Sequence, residues 1–328
     1  MKGRIPKVIL AVLVVLTLGL AVIAPANLSN TAHVAEIEGD LTDWLEASES
    51  RANANEALIP DTAKRIRWYQ ERRNSKTPYS IVYLHGFSAT RHEIAPVGAM
   101  VADALGANLF ETRLTGHGQL QHALEGARAE DWLDDAAEAL TIGAMIGEQV
   151  IVMGTSTGAT LALAMAGQPS FEAVSTIVLL SPNFAVQDPK AEFLTWPGGP
   201  QLAYLVSGQT RSWTAQNKLQ ARYWSTTYPM DAVIEMMRLV KYVRGKLPMQ
   251  LEQPVLTMYS PADTVVDIGW IIKGFEQLDS PRKQLVEIPG SNDMSNHVLA
   301  GDIMAPENNI PVTGYIVGFV RGGQREQR

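Results

Sequence analysis

Residues 149–168 read Gln-Val-Ile-Val-Met-Gly-Thr-Ser-Thr-Gly-Ala-Thr-Leu-Ala-Leu-Ala-Met-Ala-Gly-Gln, a buried strand that runs through a tight turn into a helix of small residues. This strand-to-helix turn constrains the fold more than any other feature, because it exposes a nucleophilic serine, Ser156. A serine hydroxyl is a weak nucleophile. It must stand clear of the backbone within reach of a base, which a sharp turn achieves. Gly154 and Gly158 relieve crowding where the helix start folds back on the strand. The unpaired amides and positive dipole end of the helix favour negative charge developing beside Ser156. The bare pattern Gly-x-Ser-x-Gly arises by chance in roughly one chain in ten of this length. Its setting, four apolar residues before and an Ala-rich helix after, is what the motif requires.

The surrounding pattern is an α/β alternation. Apolar runs at 79–84, 108–113, 149–153, 174–180, 254–259 and 283–288 predict strands, with helical patterns at 92–104, 129–146, 157–167, 266–278 and 312–320. Such alternation predicts a mostly parallel sheet covered by helices on both faces, with sites beyond the carboxyl ends of its strands. A lead-in at 27–77 carries a helix-like stretch at 40–52 and a short strand at 64–69. Between Pro182 and Pro254 about seventy residues lack an obvious sheet strand, too many for a bare loop. Phe184, Phe193, Trp196, Tyr204, Trp213, Tyr223, Trp224 and Tyr228 lie here, with an amphipathic stretch at 230–243. They predict a helical cap at 184–251 inserted into a core of 78–183 and 252–323, its aromatics and methionines lining an apolar acyl pocket.

With 328 residues, 46% hydrophobic, the chain has room for that core and its insertion. The formal net charge of −7, without a basic stripe, argues against nucleic-acid binding. There is no Cys, which excludes disulfides, thiolate metal sites and a Cys nucleophile. Lys2, Arg4 and Lys7 precede an apolar run at 8–24, and Ala24-Pro25-Ala26 offers an Ala-x-Ala cleavage site. Residues 1–26 are therefore read as an export signal or an N-terminal membrane anchor. The basic flank stays inside, which puts the catalytic part on the periplasmic or extracellular side.

An activated serine needs a base, and the base an orienting carboxylate, in the chain order Ser, Asp or Glu, His. Of His33, His85, His92, His117, His122 and His297, only His297 follows a candidate acid. Asp263, just past the strand at 254–259, is the preferred acid. Asp267 better suits the start of the next helix, and Asp293 would have to orient the ring from its own loop. The oxyanion needs two amide donors. Thr157 supplies one and Phe87 the other, while Gly86 allows close approach and His85 supports the loop.

These pieces resemble the α/β-hydrolases, in particular their monoacylglycerol lipase and carboxylesterase-like group. The matching stretches are His85-Gly86-Phe87, Arg113-Leu114-Thr115-Gly116-His117-Gly118, Gly154-Thr155-Ser156-Thr157-Gly158, the loop at Asp263, and His297-Val298. The resemblance implies a Ser156-Asp263-His297 triad, oxyanion donors Phe87 and Thr157, an inserted cap and no cofactor. Gly116-His117-Gly118 is expected to shape the loop beside the site. Thr155 and Thr157 replace the bulkier residues often flanking the serine, and the family's antiparallel strands are hard to find in residues 30–77. The expected reaction is hydrolysis of a small ester with an apolar acyl group. The same triad serves amidases, peptidases and perhydrolases, and the contrasting reading is a membrane-tethered binding protein with a silent hydrolase fold.

Overall fold

A computed structural model describes residues 27–28, 32–34 and 36–326. The apolar run at 8–24 lies outside the described residues. Among the described residues, no helix is long and apolar enough to cross a membrane.

The chain enters through helix α1 (Leu41–Glu56), started by Asp40, whose carboxylate accepts the Thr42 and Asp43 amides. Strand β1 (Arg65–Arg67) follows, and then β2 (Thr77–Leu84), α2 (Val97–Leu105), β3 (Asn108–Glu111), α3 (Ala129–Ile146), β4 (Gly147–Thr155), α4 (Thr157–Ala164) and β5 (Val174–Leu180). The insertion carries α5 (Gly199–Ser207), β6 (Thr210–Ser212), α6 (Lys218–Tyr223), β7 (Thr227–Pro229) and α7 (Met230–Gly245). After it come β8 (Met249–Gln250), β9 (Val255–Tyr259), α8 (Ile268–Glu276), β10 (Leu278–Asp279), β11 (Lys283–Glu287) and α9 (Asn309–Glu326).

Seven strands form the main sheet in the order β1-β3-β2-β4-β5-β9-β11. All neighbours are parallel except β1, which pairs antiparallel with β3 through Ile66 and Phe110. The short strand expected at 64–69 therefore supplies an antiparallel edge. Alternation along the strands feeds two cores. Val82, Leu84, Val150 and Val152 pack with Trp132 and Leu140 of α3 and Leu161 of α4. Ile81, Tyr83, Ile151 and Met153 face the other way, onto Val101 of α2 and Ile316 of α9. Leu41 and Leu45 of α1 join the first core, and Glu49 of α1 binds the Arg113 guanidinium at 3.1 and 3.2 Å.

Three expectations are corrected. The helix expected at 92–104 starts only at Val97, because residues 91–93 make a separate 3₁₀ turn and Pro96 cannot donate to a continuing helix. The strand expected at 108–113 stops at Glu111. The insertion is not wholly helical: β6 and β7 form a small antiparallel ribbon, with Arg211 opposite Tyr228. Its three-residue strands are too short to show a period of two.

Candidate active site

Backbone geometry at the elbow explains its two glycines. Ser156 has φ 52° and ψ −115°, a region that residues with a β-carbon rarely occupy. Such strain costs about 1–3 kcal/mol and must be imposed by surrounding packing. A β-carbon on Gly158 would lie 2.0 Å from the Leu84 carbonyl oxygen, and one on Gly154 would lie 2.5 Å from the Ala159 nitrogen. Only glycine lets α4 fold back this tightly between β2 and β4. Every residue of α4 is buried, with Leu161 in the main core.

Because β2, β4, β9 and β11 run parallel, the loops leaving them emerge at one edge of the sheet. The β2 loop brings His85, Gly86 and Phe87, β4 ends at Ser156, the β9 loop carries Asp263, and the β11 loop carries His297. Asp263 and His297 meet: Oδ2 lies 2.7 Å from Nδ1. Oδ1 of the same carboxylate accepts the Val265 amide at 2.8 Å and the Val266 amide at 3.1 Å, which fixes its orientation. With Nδ1–H engaged, Nε2 is the free basic nitrogen. Burial alone would push the His297 imidazole down. The Asp263 carboxylate, helped by Glu93 and Asp293, outweighs this and holds it above its ordinary value.

Ser156 lies against the same loops. The Ser156 amide donates to the Leu180 carbonyl at 2.8 Å, and the neighbouring Ser181 hydroxyl donates to the His297 carbonyl at 2.8 Å. A β-carbon on Gly86 would lie 3.3 Å from Cβ of Ser156, so the His85-Gly86-Phe87 loop presses directly on Ser156. Among the described residues the Ser156 hydroxyl makes no hydrogen bond, to His297 or to any other group. Neither the Phe87 nor the Thr157 amide donates to another group among the described residues. Ser156, Asp263 and His297 are all buried, at 7%, 3% and 8% exposure.

The other candidates take supporting places. His85 donates from Nδ1 to the Gly86 carbonyl at 2.9 Å and accepts the Leu114 amide on Nε2 at 3.1 Å. Burial pushes its pKa down to about 4, so it stays neutral and braces the loop. His117 accepts the Ser88 amide at 3.1 Å, tying Gly116-His117-Gly118 to the residue after Phe87. Burial, reinforced by His85, drives His117 well below its usual range. Asp267 is the N-cap of α8 and accepts the Trp270 amide at 2.9 Å, away from the imidazole. Asp293 organises the histidine loop through its backbone, accepting the His297 and Val298 amides at 2.9 Å each.

Of the cap aromatics expected around the acyl pocket, Tyr228 packs edge-on against Phe87 at 5.1 Å between ring centroids. Trp224 is buried with Val298 and Met304 beside the histidine loop. Phe193 and Trp196 instead lie on the outer surface, about half exposed, packed edge-on against each other at 4.9 Å, while Leu194 between them turns into the core. Trp132 of α3, on the core side, packs on Phe87 at 6.0 Å and had not been singled out. Neither had Glu93, whose carboxylate accepts the Gly86 amide at 2.8 Å, nor Gln216, whose amide donates to Asp293 at 2.7 Å from the cap. Glu93 lies at the start of the pattern read as a helix at 92–104, which gives no hint of a carboxylate turned onto the Gly86 loop, and Gln216 lies in a segment with no periodic signal.

Comparison with known proteins agrees with this arrangement. The family described as Hydrolase_4, serine aminopeptidase S33, matches residues 76–292. A thermostable monoacylglycerol lipase from Bacillus sp. strain H-257 is 26% identical over 214 residues, 65% of this chain and 82% of that enzyme. Among solved structures, one from work on the metagenome-derived lipolytic enzymes LipS and LipT has a TM-score of 0.63 at 18% identity, covering 81% of this chain and 99% of its own. A soluble variant of monoglyceride lipase from Saccharomyces cerevisiae has a TM-score of 0.56 at 14% identity, covering 78% and 91%. These two likenesses carry the fold. A strained serine elbow on a parallel sheet, read together with the family match, makes this chain a serine hydrolase belonging to the Hydrolase_4 family of α/β-hydrolases.

Proposed function

We propose that the chain hydrolyses small carboxylic esters, of the monoacylglycerol class, through an acyl-enzyme on Ser156. The observation that carries this reading is the Asp263–His297 pair at the sheet edge where the Ser156 elbow emerges. His297 Nε2 takes the proton of Ser156 Oγ as the oxygen attacks the ester carbonyl, and the Phe87 and Thr157 amides receive the oxyanion. Asp263 holds the ring in the required tautomer and stabilises the imidazolium. The imidazolium then protonates the leaving alcohol. Water, activated by the same nitrogen, attacks the acyl carbonyl and returns the free serine. The Ser156 to His297 contact belongs to the substrate complex, since catalytic hydrogen bonds commonly tighten only there.

The ring of Phe87, packed among Trp132, His117 and Tyr228, offers an apolar wall for an acyl chain. The 26% identity to a monoacylglycerol lipase supports the substrate class. The basic-flanked apolar run at 8–24 supports an exported or membrane-anchored enzyme, for which N-terminal sequencing of the mature protein is the check.

A panel of p-nitrophenyl esters, monoacylglycerols and matched amides of graded acyl length, run on the wild type beside Ser156→Ala, tests the reading. Ester turnover lost in Ser156→Ala supports it. Turnover that survives the substitution, or a preference for amides, contradicts it.

A further inference from the structure

Glu93 is a buried carboxylate at the heart of the site for which the serine mechanism has no assigned use. It lies in the 3₁₀ turn at Arg91–Glu93, 2% exposed, and its Oε2 accepts both the Gly86 amide and the Tyr83 hydroxyl at 2.8 Å. Tyr83 is itself fixed by Thr155, the residue before the nucleophile, at 3.1 Å. Oε1 would lie 2.7 Å from a β-carbon on Gly86, so the carboxylate backs onto the loop that carries Phe87. The following residues are clamped to the histidine segment: the Asp302 amide donates to the Ala95 carbonyl at 2.8 Å, and a β-carbon on Gly301 would meet the Glu93 carbonyl oxygen at 2.5 Å. One side chain thus touches the oxyanion loop, reaches the elbow through Tyr83, and shares its backbone contacts with the loop of the base.

We propose that Glu93 is a positioning residue for the Ser156 reaction, with two duties. Its carboxylate seats the Gly86 peptide, so that the next amide, that of Phe87, points at the developing oxyanion. Its charge, next to the loop pressed on Ser156 and joined by its backbone to the histidine segment, also acts on His297 and favours the imidazolium that forms when Ser156 gives up its proton. The groups facing His297 are Asp263 from the β9 loop, Asp293 from its own loop and Glu93 from the turn after β2. Those facing Glu93 are the Gly86 amide, Tyr83 and His297. Burial raises the Glu93 pKa above the ordinary carboxylate value, while the Gly86 amide, Tyr83 and His297 favour its charged form.

This inference rests on the Ser156 hydrolase reading, and the experiment keeps the two apart. Ester hydrolysis is measured across pH on the full chain for wild type, Glu93→Gln, Glu93→Ala and Ser156→Ala, with thermal unfolding of each. Glu93→Gln keeps an acceptor for the Gly86 amide and removes the charge. Its acid limb in kcat/KM is expected to move down by about one pH unit, with kcat about fivefold lower at neutral pH. Glu93→Ala removes both duties, and kcat is expected to fall about tenfold to a hundredfold at nearly unchanged KM. If Glu93→Gln keeps the wild-type limb and kcat, or if Glu93→Ala lowers only the unfolding temperature, the positioning role is overturned. If Ser156→Ala remains active, the hydrolase reading itself fails instead.

Discussion

The elbow and the outer part of the cap, its α5 and β6–β7 ribbon, are built differently. Around Ser156 every residue of α4 is buried, and the glycines have no room for a single methyl group. Over it, the part of the cap before α7 is held by contacts such as Gln216 to Asp293, the Ser225 amide to the Ser88 carbonyl, and Tyr223 stacked on His92 at 3.8 Å, whereas α7 itself is built into the main core. The cap also leaves Leu202, Leu205 and Val206 of α5 in solvent. The contrast is one of packing: the elbow is closely packed on every side, while α5 and the ribbon expose much of their surface.

The difference can be broken or sharpened by substitution. The largest effect belongs to the acid. Asp263→Asn is expected to lower kcat about 10³- to 10⁴-fold, because the amide donates to Nδ1 and enforces the wrong tautomer. Asp267→Asn, which changes a helix cap that does not touch the imidazole, should stay within about 1 kcal/mol in stability with kcat intact. Steady-state kinetics on both decide which carboxylate works.

Packing comes next. Leu161→Ala in α4 is expected to cost about 2–5 kcal/mol by denaturant unfolding, since the buried cavity cannot collapse. Leu205→Ser in α5, where the side chain is 85% exposed, should change stability by no more than about 0.5 kcal/mol. Equal costs would mean that α5 is as tightly built as the elbow.

The histidines give a comparable effect through pH. The unfolded value near 6.5 drops to about 4 for buried His85 in the folded chain. As pH falls from about 6.5 toward 4, the unfolded state takes up the proton first, and stability should decline by about 3 kcal/mol from this group. His297 works in the opposite sense. Its pKa is raised, so its pairing with Asp263 adds stability below the unfolded value and loses it as pH rises through the folded one. Unfolding curves of His85→Gln against wild type between pH 4 and 7 check the first, the variant being flatter. Activity should fall as pH drops through the raised value of His297, because the base must be neutral to accept the proton.

Gly245, at the end of α7, gives a small effect of the opposite sign. A β-carbon there would meet nothing within 4 Å, so Gly245→Ala should stabilise by about 0.5–1 kcal/mol. Gly158→Ala, with the Leu84 carbonyl in the way, should not fold to a soluble enzyme.

What the sequence made legible follows the same division. Strand β5 and helix α3 fall on the residues that periodicity marks, because buried strands and amphipathic helices write their packing into the order of apolar residues. Ser156, Asp263 and His297 could be picked out because turn chemistry and chain order restrict where they fall. The helix start at Val97 and the β6–β7 ribbon were hidden, one behind a proline turn and the other in strands of three residues. Glu93 was hidden for a deeper reason. Its place beneath Gly86 depends on a turn folding back over the sheet edge, and no local pattern encodes that contact.

The central claim is that Ser156 is the nucleophile, and an active-site-directed fluorophosphonate followed by peptide mapping tests it most directly. A single adduct on the peptide carrying Ser156, formed with loss of esterase activity and absent in Ser156→Ala, is the expected result. Full inactivation with the adduct on another residue, or ester turnover that persists with Ser156 fully labelled, would contradict it.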